Sequence, residues 1–355
     1  MNTQQRSKKY QNTLKNFLAI LTLGWLVSCG GASTGTGGSA EDTDCAFSDN
    51  DFYVVENASC ETNAGKLSRL NPDETCKEEI LTQLDCPVDF VLSSDGRSGY
   101  LSLHTNNAVG GVFDNQPGEI YAVDVVSKTK ILMNETYNRS FVRPSGIALI
   151  EGLSQAERDQ FCGGNTIVQD LLVVADQGEE AETSGTSDSG TVWAWCVNTD
   201  DYEQSLTPMA VLSLGADQME NPRGVAVLNR ETLIVTAQAT DDSQGLLLVK
   251  DIDSTSAAEI SVEGFSSEIG DVTIDGTVAF VADGGSGTIV TVPLTGGDVE
   301  VISGFTTPAD ILVGSDNTLV ITQSSENNVV ATDLLESLTS LTPGISLETP
   351  MGVAR

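Results

Sequence analysis

Short apolar stretches separated by turn residues recur along most of the chain, and they follow a repeating order. Each repeat opens with Pro-x-Gly or Pro-x-Asp followed by apolar residues. The openings start at Pro87, Pro144, Pro222, Pro308 and Pro350, and a variant without proline starts at Ile269. Recurrence of one phrase at intervals of about 40 residues is typical of repeat architectures. We therefore expect the fold to be built from repeated units.

Each opening is matched by further strands of the same unit. An apolar strand that ends in a polar residue occupies residues 51–56, 99–104, 171–176, 233–238, 278–283 and 318–323. A third strand is entered through a turn residue, as at Gly118, Gly190 and Gly245, and a weaker fourth strand closes the unit, as at 298–302. Four short strands per unit are typical of the blades of a β-propeller, which predicts an all-β fold.

The last opening, at residues 350–355, has no strands after it. The strands that it lacks occur near the other terminus, where 51–56, 65–69 and 79–81 match the second, third and fourth strands. We therefore predict a six-bladed β-propeller whose terminal blade is closed by pairing of the C-terminal strand with N-terminal strands. Such closure removes open sheet edges. A β-sandwich or a β-helix is the alternative, but neither explains the split terminal blade.

The openings at Pro144 and Pro222, with Val-Ala-Asp at 174–176 and 281–283, resemble those of NHL-type and gluconolactonase-like (SMP-30-like) six-bladed propellers. The resemblance covers residues 50–355. Lactonases of that group hold a divalent metal with a Glu, Asn residues from Asn-Gly openings and an Asp on a later blade. Here the openings read Ser145-Gly146 and Arg223-Gly224, and only Asp283 has a counterpart. The resemblance thus implies the fold without carrying the metal site over.

The N-terminus has the order of a secretory signal, with basic residues at 6, 8, 9 and 15 followed by an apolar run at 17–27. That run is about half the length needed to span a bilayer. It ends at Leu26-Val27-Ser28-Cys29, which resembles the bacterial lipobox and implies a lipid on Cys29. The alternative is an ordinary signal peptide with a chance cysteine. Gly30, where Asp would signal inner-membrane retention, favours the outer membrane of a bacterial envelope.

Three regions follow from these patterns. Residues 1–28 are the predicted lipoprotein signal peptide, 29–44 a flexible tether of Gly, Ser and acidic residues, and 45–355 the propeller domain. The net charge is −34, and removal of four basic residues with the signal makes it −38. So large a negative charge argues against nucleic acid and against direct binding to anionic lipid. We expect a monomer that contacts the membrane through its lipid anchor only.

Six cysteines remain once Cys29 is lipidated, and an even number outside the cytoplasm predicts three disulfides. Cys162 and Cys196 are expected on the propeller face opposite the channel mouth defined below, and Cys45 and Cys76 on that same face in the terminal blade. Cys60 and Cys86 are expected on the mouth face. The predicted pairs are therefore 162 with 196, 45 with 76, and 60 with 86.

Polar residues are expected to converge at one mouth of the central channel, because inner strands start on the face where second strands end. The second-strand ends are Glu56, His104, Asp176, Gln238, Asp283 and Gln323, and the acidic inner-strand starts are Asp89, Asp271 and Asp310. Carboxylates in this number could hold a hard cation such as Ca²⁺, with Asp271, Asp283 and Asp310 as candidate ligands. The alternative is that they are turn residues that accept backbone N–H groups.

No nucleophile elbow or phosphate loop is evident, and the lone His104 is typical of a hydrogen-bonded structural residue. Trp193 and Trp195 alternate on one strand, which favours packing roles. The sequence therefore favours a binding or scaffold module without catalysis, with its ligand or protein partner at the mouth. The alternative is a divalent-metal-dependent, lactonase-like hydrolase or a lyase with a rearranged site.

Overall fold

The structure is a computed structural model that describes residues 51–57, 64–71, 76–104, 118–133, 141–178, 190–202, 209–213, 219–239, 244–253, 257–260, 264–314, 318–332, 338–340 and 347–355. Only the backbone is described at 209–213, 219–220 and 338–340. Within this part of the chain, the strands form six antiparallel sheets of four strands each. These sheets are the blades of a six-bladed β-propeller, as predicted.

The strands are as follows, in chain order. Blade 6 contains β1 (Phe52–Glu56), β2 (Gly65–Asn71) and β3 (Cys76–Leu84), and blade 1 contains β4 (Pro87–Leu92), β5 (Ser98–Leu103), β6 (Glu119–Asp124) and β7 (Thr129–Leu132). Blade 2 contains β8 (Pro144–Ile150), β9 (Asp170–Asp176), β10 (Thr191–Val197) and β11 (Met209–Ser213). Blade 3 contains β12 (Met219–Asn229), β13 (Thr232–Ala239), β14 (Gly245–Asp251) and β15 (Ala258–Ile260). Blade 4 contains β16 (Ile269–Asp275), β17 (Val278–Asp283), β18 (Thr288–Pro293) and β19 (Glu300–Ser303). Blade 5 contains β20 (Pro308–Val313), β21 (Leu319–Gln323), β22 (Asn328–Thr332) and β23 (Leu338–Ser340), and β24 (Pro350–Ala354) completes blade 6.

The C-terminal strand closes the ring. β24 pairs antiparallel with β1, with Val353 opposite Val54 and Gly352 opposite Val55. The innermost strands of the six blades contact one another in succession, from β4 through β8, β12, β16 and β20 to β24 and back to β4. The predicted split terminal blade is therefore confirmed.

Burial explains the near-continuous apolar runs in the sequence. β1 and β9 are buried along their whole length, whereas β7 and β19 at the outer edge are mostly exposed or half-buried. Blades stack face to face, so a second strand is covered on both sides and has no polar face. Between blades 2 and 3, for example, Val173 packs in one cluster with Val235. Trp195 is fully buried and its ring lies 5.9 Å from that of Phe141, consistent with the predicted packing role.

The glycines that open third strands allow neighbouring blades to approach closely. A Cβ atom on Gly65 would lie 2.3 Å from Cδ of Pro87, and one on Gly190 would lie 2.1 Å from Cδ of Pro222. Either contact is far inside van der Waals distance. The opening proline of each of these blades therefore occupies the space that a side chain on the preceding blade would need.

An insertion between β8 and β9 folds into a helix, α1 (Gln155–Phe161). Ser154 and Glu157 form a capping box at its N-terminus, in which each side chain accepts a hydrogen bond from the other residue's backbone N–H. Cys162, directly after the helix, forms a disulfide with Cys196 of β10, so this predicted pair is confirmed. Cys76 and Cys86 each take part in a disulfide. Cys45 and Cys60, their predicted partners, lie outside the described residues. Those two pairings stay predictions.

None of the helices in the described part of the chain is long and apolar enough to span a membrane. The predicted signal peptide and tether, including Cys29, lie outside the described residues.

Candidate functional site at the channel mouth

The openings of the inner strands surround a cavity of about 400 Å³ at one end of the central channel. Each opening contributes its second residue to the lining. From blade 1 to blade 6 these residues are Val88, Ser145, Arg223, Gly270, Ala309 and Met351. Residues that directly follow second strands, such as Gln177 and Ser324, complete the lining. The cavity is therefore built from equivalent positions of the repeat, and its chemistry depends on what each blade places there.

The lining divides into two sides. Ala309, Met351 and Val88 come from the consecutive blades 5, 6 and 1, and we call them the apolar arc. Ser145, Gln177 and Arg223 come from blades 2 and 3, and we call them the polar arc. A pocket with an apolar side and a few polar groups is the usual form of a ligand site.

Asp89, Asp271 and Asp310 lie one residue further along their inner strands, and all three line the cavity. We call them the channel-floor aspartates. Asp89 and Asp310 join neighbouring blades through backbone N–H groups. Asp89 Oδ1 accepts from Phe90 N at 2.7 Å and its Oδ2 from Ile147 N of blade 2 at 2.8 Å. Both carboxylates therefore have structural partners as well as a place at the site.

Asp310 repeats this arrangement between blades 5 and 6. Its Oδ1 accepts from Ile311 N at 2.6 Å and its Oδ2 from Val353 N at 2.5 Å. By the same pattern, Asp271 of blade 4 would accept a hydrogen bond from Ile311 N of blade 5. That N–H already donates to Asp310, so it is not available to Asp271. The Oδ1 atom of Asp271 is buried without a hydrogen-bond partner. Asp271 is thus the one channel-floor aspartate without an inter-blade amide contact in the described structure.

A hydrogen bond between the carboxyl groups of Asp271 and Asp310 shapes their titration. Burial, then the charges of Asp310 and Asp89, raise the pKa of Asp271 well above its usual range, and the hydrogen bond to Asp310 raises it further. Burial raises the pKa of Asp310 to about 6, while the hydrogen bond from Asp271 works in the opposite direction. Burial and the charge of Asp310 also raise the pKa of Asp89. Two carboxyl groups in such contact favour a shared proton, and the directions of the two pKa shifts favour Asp271 as the group that holds it.

Glycines provide room for these carboxyl groups. A Cβ atom on Gly224 would lie 2.2 Å from Oδ1 of Asp271, and one on Gly352 would lie 3.3 Å from Oδ1 of Asp89. Each of these glycines occupies the repeat position that holds an aspartate in the adjacent blade, and the missing side chain leaves room for that aspartate in the narrow channel.

Hydroxyl groups on alternate blades fix the inner strands in place. Thr236 Oγ1 accepts from Gly224 N at 2.8 Å and donates to Gly270 O of the next blade at 2.7 Å. Ser102 and Thr322 make the corresponding contacts in blades 1 and 5, to Ser145 O and Met351 O. These bonds hold the backbone that carries the channel-floor aspartates.

The second-strand ends predicted at the mouth do not join the channel-floor aspartates. Asp176 accepts from Val142 N and Arg143 N, and Gln323 Oε1 accepts from Thr306 N. Gln238 Oε1 accepts from the side chain of Asn221. These side chains satisfy polar groups of the segments that enter the same blade, which is the turn role considered as the alternative.

Asp283 also departs from its expected place as a metal ligand. Its carboxylate accepts from Ser266 N at 3.0 Å and from the Ser266 hydroxyl, and it is fully buried away from the cavity lining. The structure therefore does not bring Asp283 together with Asp271 and Asp310. Among the described residues, no group of three His, Cys, Asp or Glu side chains lies close enough to hold a metal ion.

Glu56 and His104 are likewise placed within the blades. Glu56 is fully buried and accepts from Ser68 Oγ at 2.5 Å, from Lys77 Nζ at 2.8 Å and from Glu348 N at 3.0 Å. Burial and the nearby charges of Arg143 and Arg223 lower the pKa of His104 to about 3. His104 is thus neutral at physiological pH.

Sequence reasoning missed the residues that form the walls of the cavity. These are the second residues of the openings, together with Gln177, Glu268 and Ser324. The signal was present, since the x residue of Pro-x-Gly or Pro-x-Asp differs in every opening while the residue after it is always Gly or Asp. A variable position beside a fixed turn is where a repeat protein can change its binding surface.

Comparison with solved structures finds a chain of a nidogen/laminin complex with a TM-score of 0.61 and 14% sequence identity, covering 86% of this chain and 98% of that chain. At this identity the likeness shows the fold alone. Altogether 620 chains of solved structures match, so the fold does not select one function. No protein-family model and no curated protein matches the chain. The class of protein is thus a six-bladed β-propeller, which is compatible with a protein-binding scaffold.

Proposed function

We propose that this protein is a lipid-anchored propeller of the bacterial cell envelope that binds a ligand or protein partner at its channel mouth without catalysis. The observation that carries the binding role is the cavity of about 400 Å³, whose apolar arc, polar arc and acidic floor come from equivalent positions of all six blades. Preformed cavities with a few convergent polar groups are typical binding sites. The propeller in the nidogen/laminin complex shows that this fold occurs in protein assemblies.

The envelope location rests on the signal, lipobox and tether of the sequence, with Cys29 as the lipidated residue and Gly30 favouring the outer membrane. The Cys162–Cys196 disulfide supports it, because disulfides persist in oxidising compartments. The Pro-x-Gly openings at Pro144 and Pro222 support descent from NHL-type or gluconolactonase-like propellers as part of this proposal.

Membrane anchoring is tested by Cys29→Ser. The variant is expected to leave the membrane fraction or to accumulate with an uncleaved signal, because the attached lipid chains provide the anchor. A variant that fractionates with membranes and migrates like the wild type would show that the anchor assignment is wrong.

Binding at the mouth is tested by placing a photo-crosslinking amino acid at Met351, which lines the cavity, in cells that make the full chain. Val126 is the matched control, because it is 68% exposed in the turn after β6, at the other end of the blade. Specific adducts from position 351, or a small molecule retained by the purified protein that Ala309→Trp displaces, support the proposal. Adducts from position 126 alone, with no retained molecule, refute it.

A further inference from the structure

The polar arc carries a positive charge into the cavity. Arg223 is the one charged side chain among the six second residues of the openings, and it lines the cavity while half-buried. The chain has 51 acidic and only 17 basic residues, so an arginine in the lining does not follow from the general composition of the surface. A guanidinium presents its N–H donors in a planar fork that matches a carboxylate. The lining therefore offers a strong partner to an anion.

A second guanidinium lies on the same side of the mouth. Nε of Arg143 donates to Gly178 O at 3.0 Å, and Gly178 directly follows Gln177 of the polar arc. Besides burial, the charges of Arg143 and then Arg223 lower the pKa of His104, so both guanidinium groups lie near one imidazole of blade 1. Blades 1, 2 and 3 thus present a positive side of the mouth.

The carboxyl groups of the channel floor are directed elsewhere. Both oxygens of Asp89 and both oxygens of Asp310 accept backbone N–H groups of their own and the next inner strand. Oδ1 of Asp271 packs against Gly224 of the neighbouring inner strand. These oxygens lie in the seams between inner strands, so an anion at Arg223 meets carboxyl groups that the backbone already engages.

The apolar arc faces Arg223 across the mouth. The inner strands contact one another in succession around the ring of six, so blade 3 lies opposite blade 6. Arg223 therefore stands across from Met351, with Val88 and Ala309 in the blades on either side of Met351. Burial of apolar surface is favourable roughly in proportion to its area. A ligand that spans the mouth thus gains from an anionic end and an apolar end.

We propose that the channel mouth binds an amphiphilic carboxylate, whose charged group pairs with Arg223 and whose hydrocarbon part lies against the apolar arc. This inference rests on the proposed function and names the chemistry of its ligand. A free acid with a short apolar chain supplies both groups, and so does the C-terminus of a protein partner that ends in an apolar residue. No covalent step is involved, and the carboxylate takes the place of any contact that the guanidinium makes within the protein.

The test measures binding of sodium hexanoate to the purified mature lipoprotein by calorimetry and thermal unfolding, at neutral pH and constant ionic strength. We expect saturable binding and an unfolding temperature that rises with hexanoate concentration. Hexanol and hexylammonium share the chain but do not pair with a guanidinium, so they should bind more weakly by about tenfold or more. Acetate lacks the chain and should also bind more weakly by about tenfold or more.

Four variants locate the site. Arg223→Gln should weaken hexanoate by about tenfold or more, whereas Arg97→Gln is the matched control and should bind like the wild type. Arg97 is 61% exposed, in the turn before β5 at the other end of its blade. Glu268→Gln removes a negative charge from the exposed rim of the cavity and should strengthen binding. Ala309→Trp fills the apolar arc and should weaken hexanoate with Arg223 in place, which tests the inference even if Arg223→Gln does not fold.

The source of the carboxylate is separated with a short peptide, blocked at its N-terminus, that ends in leucine, compared with its C-terminal amide. Binding of the free-acid peptide but not of the amide indicates a protein partner, and binding of hexanoate alone indicates a free acid. Absence of binding by both probes, equal binding of hexanol or hexylammonium, or equal binding of hexanoate by the wild type and Arg223→Gln overturns the inference. If crosslinks from position 351 persist in that case, the proposed function stands and only the ligand chemistry is wrong.

Discussion

Replacement of Asp271 by asparagine should stabilise this protein at alkaline pH, although the side chain lines the channel cavity among other carboxyl groups. An aspartate with a higher pKa in the folded than in the unfolded protein binds its proton more tightly when folded. The free energy of unfolding is therefore highest near and below the unfolded pKa of about 3.9, and it falls as the pH rises toward the folded pKa.

The magnitude follows from the pair. The pKa of Asp310 is raised to about 6, and a difference of about 2 pH units from the unfolded value corresponds to about 3 kcal/mol of stability lost between about pH 4 and pH 6. The pKa of Asp271 is also raised well above its usual range, so Asp271 adds to the loss as the pH rises. Asparagine is neutral at every pH and donates to Asp310 as the protonated Asp271 does. We expect Asp271→Asn to match the wild type near pH 4 and to be more stable at pH 8, because the variant keeps the loss of about 3 kcal/mol from Asp310 and lacks the additional loss from Asp271.

The assay is denaturant unfolding of both proteins from pH 4 to pH 8. Asp124→Asn is a control of opposite sign, because backbone N–H of Ser127 and then Arg97 lower the pKa of Asp124 to about 2. The stability from Asp124 is present above about pH 3.9 and is lost as the pH falls through 2, so its removal should cost a little stability at pH 8. A wild-type protein whose stability does not fall between pH 4 and 7, or an Asp271→Asn variant less stable at pH 8, would refute the proton-sharing pair.

Two further predictions concern the terminal blade. Glu56→Gln should destabilise the protein by about 2–3 kcal/mol, because it removes the buried partner of Lys77 and weakens the hydrogen bond from Glu348 N, just before β24. As a control, Glu79→Gln disrupts an exposed pair with Lys66 and should change the unfolding free energy by less than about 1 kcal/mol. Both variants are measured in the same denaturation assay. Peptide mapping without reduction should recover links of Cys45 to Cys76 and of Cys60 to Cys86, and a link of Cys60 to Cys76 would contradict the strand geometry on which those pairs depend.

The helix α1 shows where sequence reasoning stopped short although the signal was present. Residues 151–165 are an insertion between the first two strands of blade 2, and within it Ser154 and Glu157 have the spacing of a capping box. The helix has two turns, and such a helix is stable only with tertiary support. Arg230 of the next blade provides part of that support, through Glu157 and through the backbone oxygens of Glu151 and Gly152.

The fold itself follows from the sequence. Six openings, the strands after each, and the split between the two termini are enough to predict blade number and closure, because blade residues are buried on both faces and a ring has no free edge. The Cys162–Cys196 pair follows from the same reasoning, since strand direction decides which face each cysteine reaches. These properties depend on the repeating order of residues, which is visible in the amino-acid sequence without the structure.

Only the tertiary structure decided which polar residues share the channel. Asp283 and Asp271 both stand at strand ends in blade 4, yet Asp283 is fully buried and accepts from Ser266 while Asp271 lines the cavity. The difference arises because the end of a second strand is covered by the loop entering the same blade, whereas the start of an inner strand faces the axis. The contact between the carboxyl groups of Asp271 and Asp310 likewise depends on neighbouring blades. Ile311 N donates to Asp310, which leaves Asp271 without an inter-blade amide donor, and this arrangement exists only once the blades have closed into a ring.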